Sequence, residues 1–332
     1  MAEAKSDMTN LVDRDGHFRR KDSSFRSFIS RSASAEFPAE AGRYVLYINL
    51  GCPWAHRTNI VRSLKGLEDI IQLVKVGRGN GNIMWEFNGT DGSDEKEPLY
   101  GFNYLKDLYL KVEPGYEGRY TVPLLWDKKT ERIVSNESSD IIRMFYSEFD
   151  DLLPAERRED KIRGLYPEHL RSEIDAMNVW VYNQINNGVY KSGFATSQEA
   201  YDANVYALFE ALDRVEKHLG EPGHQPYLFG DHITEADIRL YPTIVRFDVA
   251  YHPVFKCNIK MIRHDYPRIH RWLRLLYWDE SAKTTRGAFK KTSALDLYKK
   301  GYGAAVAKLH GIKLESLVLP AGPLPAILPF DG

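Results

Sequence analysis

Residues 43–50 alternate and then turn apolar, which predicts a first strand that stops at Gly51. Residues 54–65 carry Ile60, Val61 and Leu64 on one helical face, and Gly66 is a natural helix stop. Ile70 to Val76 is a mostly apolar run, interrupted by Gln72 and Lys75, and it is read as a strand buried on both faces of a parallel sheet. Strand, helix and strand in this order form a βαβ unit. Residues 77–118 break the pattern. Gly77, Gly79, Gly81, Gly89 and Gly92 sit among Asn, Asp and Glu, with a short helix-like piece near Tyr104–Leu110. The aromatics Trp85, Phe87, Tyr100, Phe102 and Tyr104 predict that this insertion is an ordered lid.

Order returns at Tyr120–Trp126, followed by a charged turn from Asp127 to Arg132 and the apolar pair Ile133–Val134. The polar run Ser135–Asp140 then offers caps for a helix carrying Ile141, Ile142, Met144 and Phe145. From about residue 160 onward only helical periodicity remains, through 168–187, 199–219, 235–251 and 266–278. Thr234 and Asp237 form a capping-box pattern, and Ile233 can staple onto Ile238. The expected organisation is a 1–40 arm anchored by Phe25 and Phe28, an α/β domain over 41–150, a linker over 150–159, an all-helical domain over 160–310 and an extended tail over 311–332.

Composition narrows the chemistry. The 45 basic and 46 acidic residues nearly cancel, so no basic field is available for nucleic acid or anionic lipid. No apolar run approaches the roughly 18 residues of a membrane span. The N-terminal stretch lacks the apolar core of a secretory signal. With two cysteines, Cys52 and Cys257, a disulfide framework and the usual zinc-binding cysteine clusters are both excluded. The expectation is a reduced, cytoplasmic protein with no metal.

Cys52 carries the candidate chemistry. It follows the first strand and precedes Pro53, which suits the first turn of a helix. Unpaired amides and a partial positive charge at that position favour a thiolate nucleophile. Glutaredoxins place a second cysteine where this chain has Ala55, so a dithiol cycle at the motif is excluded. Cys257 reads as a buried, inert thiol.

Strand–helix–strand, then strand–strand–helix with Val122-Pro123 before the third strand, is the thioredoxin-like order. Joined to an all-helical domain with that capping box, the chain resembles the glutathione transferases. Gly51-Cys52-Pro53-Trp54-Ala55-His56-Arg57 is similar to the active-site motif of the glutathionyl-hydroquinone reductases, the Xi class. The resemblance covers about residues 40 to 300. It implies a homodimer with glutathione as co-substrate and S-glutathionyl-hydroquinones as substrates. Glutathione would meet Trp85, Arg119, Val122 at a cis proline, Glu137 and Ser138. A hydroquinone pocket would use Tyr190, Tyr251 and Tyr302. Two rivals stay open: an omega-like cysteine transferase acting on mixed disulfides, dehydroascorbate or phenacyl conjugates, and a non-catalytic protein that binds aromatic ligands.

One departure stands out. The family's His-Tyr-Tyr element corresponds here to Gly301-Tyr302-Gly303, which is expected to widen or loosen the pocket wall.

Overall fold

The structure is a computed structural model that describes residues 13, 15–20, 22–79 and 84–330. Two compact units are present: the first spans 22–159, and the second comprises 160–330 with residues 13 and 15–20.

The first unit runs β1 (Tyr44–Ile48), α1 (Pro53–Leu64), β2 (Gln72–Lys75), β3 (Gly77–Arg78), β4 (Trp85–Glu86), α2 (Lys106–Val112), β5 (Leu124–Asp127), β6 (Arg132–Ser135) and α3 (Ser138–Ser147). Its four-stranded sheet has the order β2-β1-β5-β6. β1 is parallel to β2 and antiparallel to β5, and β5 is antiparallel to β6. All five residues of β1 are buried, as a central strand covered on both faces requires. α1 and α3 pack against each other. Gly66 ends α1 with φ +67°, a left-handed conformation that a side chain would strain. At the base of the β5–β6 hairpin the buried carboxylate of Asp127 receives Arg43 Nε at 2.8 Å and Nη2 at 2.5 Å. This is a two-pronged pair that satisfies both buried charges.

Three sequence expectations change here. The run Ile70–Val76 is not a doubly buried strand. β2 lies at the sheet edge and is half-buried, and Asp94 of the insertion pairs with both backbone groups of Lys75. An edge strand needs such cover, and the insertion supplies it. The insertion is also not a lid over its whole length. Phe87 packs on Tyr47, Tyr100 packs on Trp126, and Tyr47 donates to Glu97 at 2.5 Å. Its aromatics therefore extend the core of the sheet. Residues 80–83 lie outside the described residues. Phe28 does not anchor the arm, because it is half-exposed, whereas Ile29 and Phe37 are fully buried. The arm runs along the open edge of β6, with Ser27 N donating to Val134 O and Asn136 N donating to Phe25 O. That pairing alternates the side chains, so Phe28 points outward and Ile29 inward.

The second unit is helical: α4 (Arg171–Trp180), α5 (Gly188–Gly193), α6 (Gln198–His218), α7 (Glu235–Arg246), α8 (His252–Val254), α9 (Ile262–Asp265), α10 (Pro267–Trp278), α11 (Ala288–Thr292) and α12 (Leu295–Leu309). The expected capping box is formed: Thr234 N donates to Asp237 at 2.9 Å, and the reciprocal bond is present. Two wide, π-type turns, Val181–Asn186 and Phe247–Tyr251, interrupt the helical run. Such turns re-aim the residues that follow them. The Pro-rich tail is irregular and strapped down by side-chain donors. Lys299 bonds the carbonyls of Ala321 and Gly322, Arg263 those of Pro325 and Ala326, and Trp278 that of Leu328. Tail carbonyls with no strand partner are satisfied in this way. No helix among the described residues is long and apolar enough to cross a membrane.

Candidate active site

Cys52 occupies the N-cap position of α1 with extended backbone angles, φ −77° and ψ 120°. Pro53 follows at the first helical position, where a missing N–H costs no intrahelical bond. The Cys52 carbonyl accepts His56 N, which leaves the side chain at the mouth of the helix. The thiol is half-buried and lies 3.6 Å from the carbonyl of Val122. Val122-Pro123 is a cis peptide, so this carbonyl belongs to the bend that leads into β5.

Glu137 caps α3. Its carboxylate accepts the Ser139 amide at 3.0 Å, the Ser139 hydroxyl at 2.8 Å and the Ser23 hydroxyl at 3.0 Å. Burial pushes this carboxyl up, but those three bonds and the charge of Arg57 outweigh it and hold it below its ordinary value of 4.5. It is therefore an anion at neutral pH. Ser138 is buried at the first position of α3, where amides and helix polarity favour a carboxylate ligand.

Trp85 sits in β4, half-buried, and its indole Nε1 is buried with no hydrogen-bond partner among the described residues. Arg119 is half-buried, three residues before Val122, on the segment that leads to the cis proline. Cys52, Val122, Glu137, Ser138, Trp85 and Arg119 all belong to the first unit.

Two residues of this unit escaped the sequence reading. Arg57 is buried, lies 4.6 Å over the Trp54 ring and acts on Glu137. Its signal was its place within the Cys-Pro-Trp motif. Ser23 of the arm reaches Glu137 from 114 residues away, and no local pattern points to that pairing.

Glu137 gives a pH prediction. Its folded value is lowered, so its contribution is complete above 4.5 and is lost as pH falls through the folded value. Glu137→Gln is expected to flatten the loss of urea resistance between neutral pH and about pH 3. Parallel curves for the two proteins would disprove this.

In the second unit the structure brings Tyr190, Tyr251 and Tyr302 together. Tyr302 lies between the others, 3.1 Å from the Tyr190 hydroxyl and 2.8 Å from that of Tyr251. Three phenols joined by two bonds use two protons within the trio, so the third proton is directed outside it. Tyr190 follows the first wide turn, and Tyr251 ends the second. The Phe255 ring lies where a Cβ on Gly193 would stand, so only glycine permits this close aromatic packing. Arg246, which the sequence reading passed over, is fully buried with its guanidinium 3.7 Å from the Tyr298 ring. Burial opposes its charge, but the surrounding phenols outweigh this and its pKa is raised, so it remains a cation. Burial and the neighbouring phenols push the Tyr251 hydroxyl well up, and Arg246 pulls the other way. Its charge within the mostly apolar stretch Tyr241–Phe247 was the available signal.

The wall around Tyr302 is a further correction. Gly303 leaves no gap, because a Cβ there would stand 2.5 Å from Leu319 and 3.5 Å from Leu317. The tail fills the volume that a second tyrosine side chain would need. Cys257 is fully buried, and burial pushes its thiol up, as expected of an inert cysteine.

A thioredoxin-like unit with a cysteine at its first helix start, in one chain with an all-helical unit, defines a glutathione transferase. Residues 51–148 match the glutathione S-transferase N-terminal domain family, and residues 198–275 match the C-terminal domain family. The chain is 45% identical over 320 residues to glutathione S-transferase omega-like 2 of Schizosaccharomyces pombe, covering 96% of this chain and 97% of that protein. It is 47% identical over 259 residues to the glutathionyl-hydroquinone reductase PcpF of Sphingobium chlorophenolicum, covering 77% of each. The Xi glutathione transferase ECM4 of Saccharomyces cerevisiae, solved in complex with glutathione, superposes with a TM-score of 0.82 at 38% identity, over 93% of this chain and 100% of that one. The chain belongs to the Xi-class, or glutathionyl-hydroquinone reductase, family of glutathione transferases.

Proposed function

We propose that the protein removes glutathione from S-glutathionyl-hydroquinones. The Cys52 thiolate attacks the glutathionyl sulfur, forming Cys52–S–S–glutathione and breaking the sulfur–aryl carbon bond. The aryl carbon takes the electron pair and a proton, and hydroquinone leaves. A second glutathione thiolate then attacks the mixed disulfide, releasing oxidised glutathione and regenerating the Cys52 thiolate. One conjugate and one glutathione thus give one hydroquinone and one glutathione disulfide.

The observation that carries this reading is a lone cysteine at a helix start, beside the Val122 carbonyl, with Ala55 in the resolving position. Transferases that conjugate hold a glutathione thiolate with a hydroxyl; a cysteine would instead be drawn into a disulfide. Val122 pairs with the cysteinyl part of the peptide. Ser138 and the α3 amides receive its γ-glutamyl carboxylate, and Glu137 receives its ammonium. Arg119 meets the glycyl carboxylate, and Trp85 covers the peptide. The phenols of Tyr190, Tyr251 and Tyr302 donate to the hydroquinone oxygens and stabilise negative charge there. Glutathione is the co-substrate, and a homodimer of the 38.2 kDa chain is part of the same reading.

The omega-like name of the Schizosaccharomyces pombe relative favours a second reading, in which the same thiol reduces glutathione mixed disulfides. Incubation with a glutathionyl-hydroquinone in the absence of free glutathione is expected to leave one glutathione on Cys52 in the intact mass. An unmodified Cys52 refutes the proposed cycle. Faster turnover of a mixed disulfide than of the aromatic conjugate assigns the enzyme to the second reading.

A further inference from the structure

α6 ends at His218, and Pro222 ensures that the helix does not continue. The chain instead makes two short turns. Glu221 N donates to His218 O at 3.1 Å, and His224 N donates to Glu221 O at 3.3 Å. Gly220 and Gly223 make this path possible. A Cβ on Gly220 would stand 2.8 Å from Arg268, and Gly223 has φ +85°. The result stacks the side chains at steps of three residues. One potential ligand atom from each of His218, Glu221 and His224 lies within 4.8 Å of the other two.

Both imidazoles are aimed by one group. His218 Nε2 and His224 Nδ1 each lie 2.8 Å from the carbonyl oxygen of Leu228. A carbonyl only accepts, so both nitrogens are donors and both tautomers are set. Nδ1 of His218 and Nε2 of His224 then carry the lone pairs. Histidines that bind metals are held this way, with the second ring N–H given to a carbonyl or carboxylate. The aiming carbonyl is itself fixed: Leu228 N donates to Asp237 at 3.0 Å, and Trp272 donates to the same oxygen at 2.8 Å. The rings lie 3.9 Å apart between centroids with a 35° tilt. Phe229 walls the pair, its ring 5.6 Å from that of His218 and 5.8 Å from that of His224.

We infer that His218, Glu221 and His224 form a binding site for one zinc-class divalent ion, with water in the fourth position. Imidazole nitrogens select zinc and its neighbours over magnesium and calcium. The exposed Glu221 completes the set and neutralises part of the charge. Bound metal would pin the end of α6 to the segment that leads into α7, a structural role separate from the Cys52 chemistry. This inference departs from the expectation of no metal, which rested on the cysteine count and not on histidines brought together by turns.

The test uses the full chain with Cys52→Ser, freed of metal by chelator, so that the reactive thiol contributes no ligand. Calorimetric titration with zinc chloride is expected to show one equivalent bound, with a raised thermal midpoint. Cobalt chloride is expected to give the visible absorption of four-coordinate cobalt. Glu221→Ala is the decisive variant, because Glu221 is exposed and its loss leaves the fold intact; about tenfold weaker binding is expected. His224→Gln should bind still more weakly. Failure of the parent protein to bind zinc overturns the inference. So does binding by Glu221→Ala and His224→Gln that equals the parent's.

Discussion

Cys52→Ser is expected to lower turnover of glutathionyl-hydroquinones by at least about a thousandfold, because the proposed cycle runs through a bond that oxygen cannot form. A serine hydroxyl is hardly ionised near neutral pH and makes no disulfide, so neither half-reaction has a route. The loss is expected without a change in fold. Cys52 stands at an N-cap with extended angles, and its own side chain makes no capping bond. Serine is among the favoured residues at that position. The variant should therefore match the parent in circular dichroism and melt no lower. A weak conjugating activity is the expected gain, since a hydroxyl at a helix start can hold a glutathione thiolate without being consumed. More than a tenth of the parent rate in the variant would show that Cys52 is not the nucleophile.

Asp237→Ala is expected to destabilise the protein by about 2–4 kcal/mol, the scale of leaving buried donors without an acceptor and losing a helix cap. The carboxylate is fully buried and accepts four bonds: from Thr234 N at 2.9 Å, Thr234 Oγ1 at 3.1 Å, Leu228 N at 3.0 Å and Trp272 Nε1 at 2.8 Å. Alanine leaves these buried donors without an acceptor and uncaps α7. Because Leu228 also aims the two histidines, the variant should weaken zinc binding as well. Asp237→Asn keeps one acceptor oxygen and should fall between the two. Urea unfolding followed by tryptophan fluorescence reads both variants. A loss under 1 kcal/mol for alanine would mean that the network contributes little.

The legible parts of this chain were those whose cause is local. The Cys-Pro junction follows from residues 45–60 alone, since a strand ending at glycine and a proline-started helix are set by neighbours in sequence. The Thr234–Asp237 box spans three residues and was read correctly, partners included. The aromatic trio was marked residue by residue through family resemblance, not through pattern. The misreadings share a different cause. Ile70–Val76 looked doubly buried because apolar content does not say whether a strand is central or at an edge. Phe28 looked like an anchor because arm residues are assigned an inside or an outside only by pairing with β6. Gly303 looked like missing wall because Leu319, sixteen residues on, folds back to fill it.

By itself the sequence determined the place of Cys52 at a helix start, the alanine at position 55, the order of elements and the helix caps, because each depends on residues within a few positions. Only the tertiary structure decided that Tyr190 and Tyr302, separated by 112 residues, share a hydrogen bond. The charge of Arg246 behind the trio, the arm serine on Glu137 and the turn that stacks His218 on His224 were decided there too. These contacts depend on where the chain returns to itself, and side-chain chemistry carries no record of that until the core is packed.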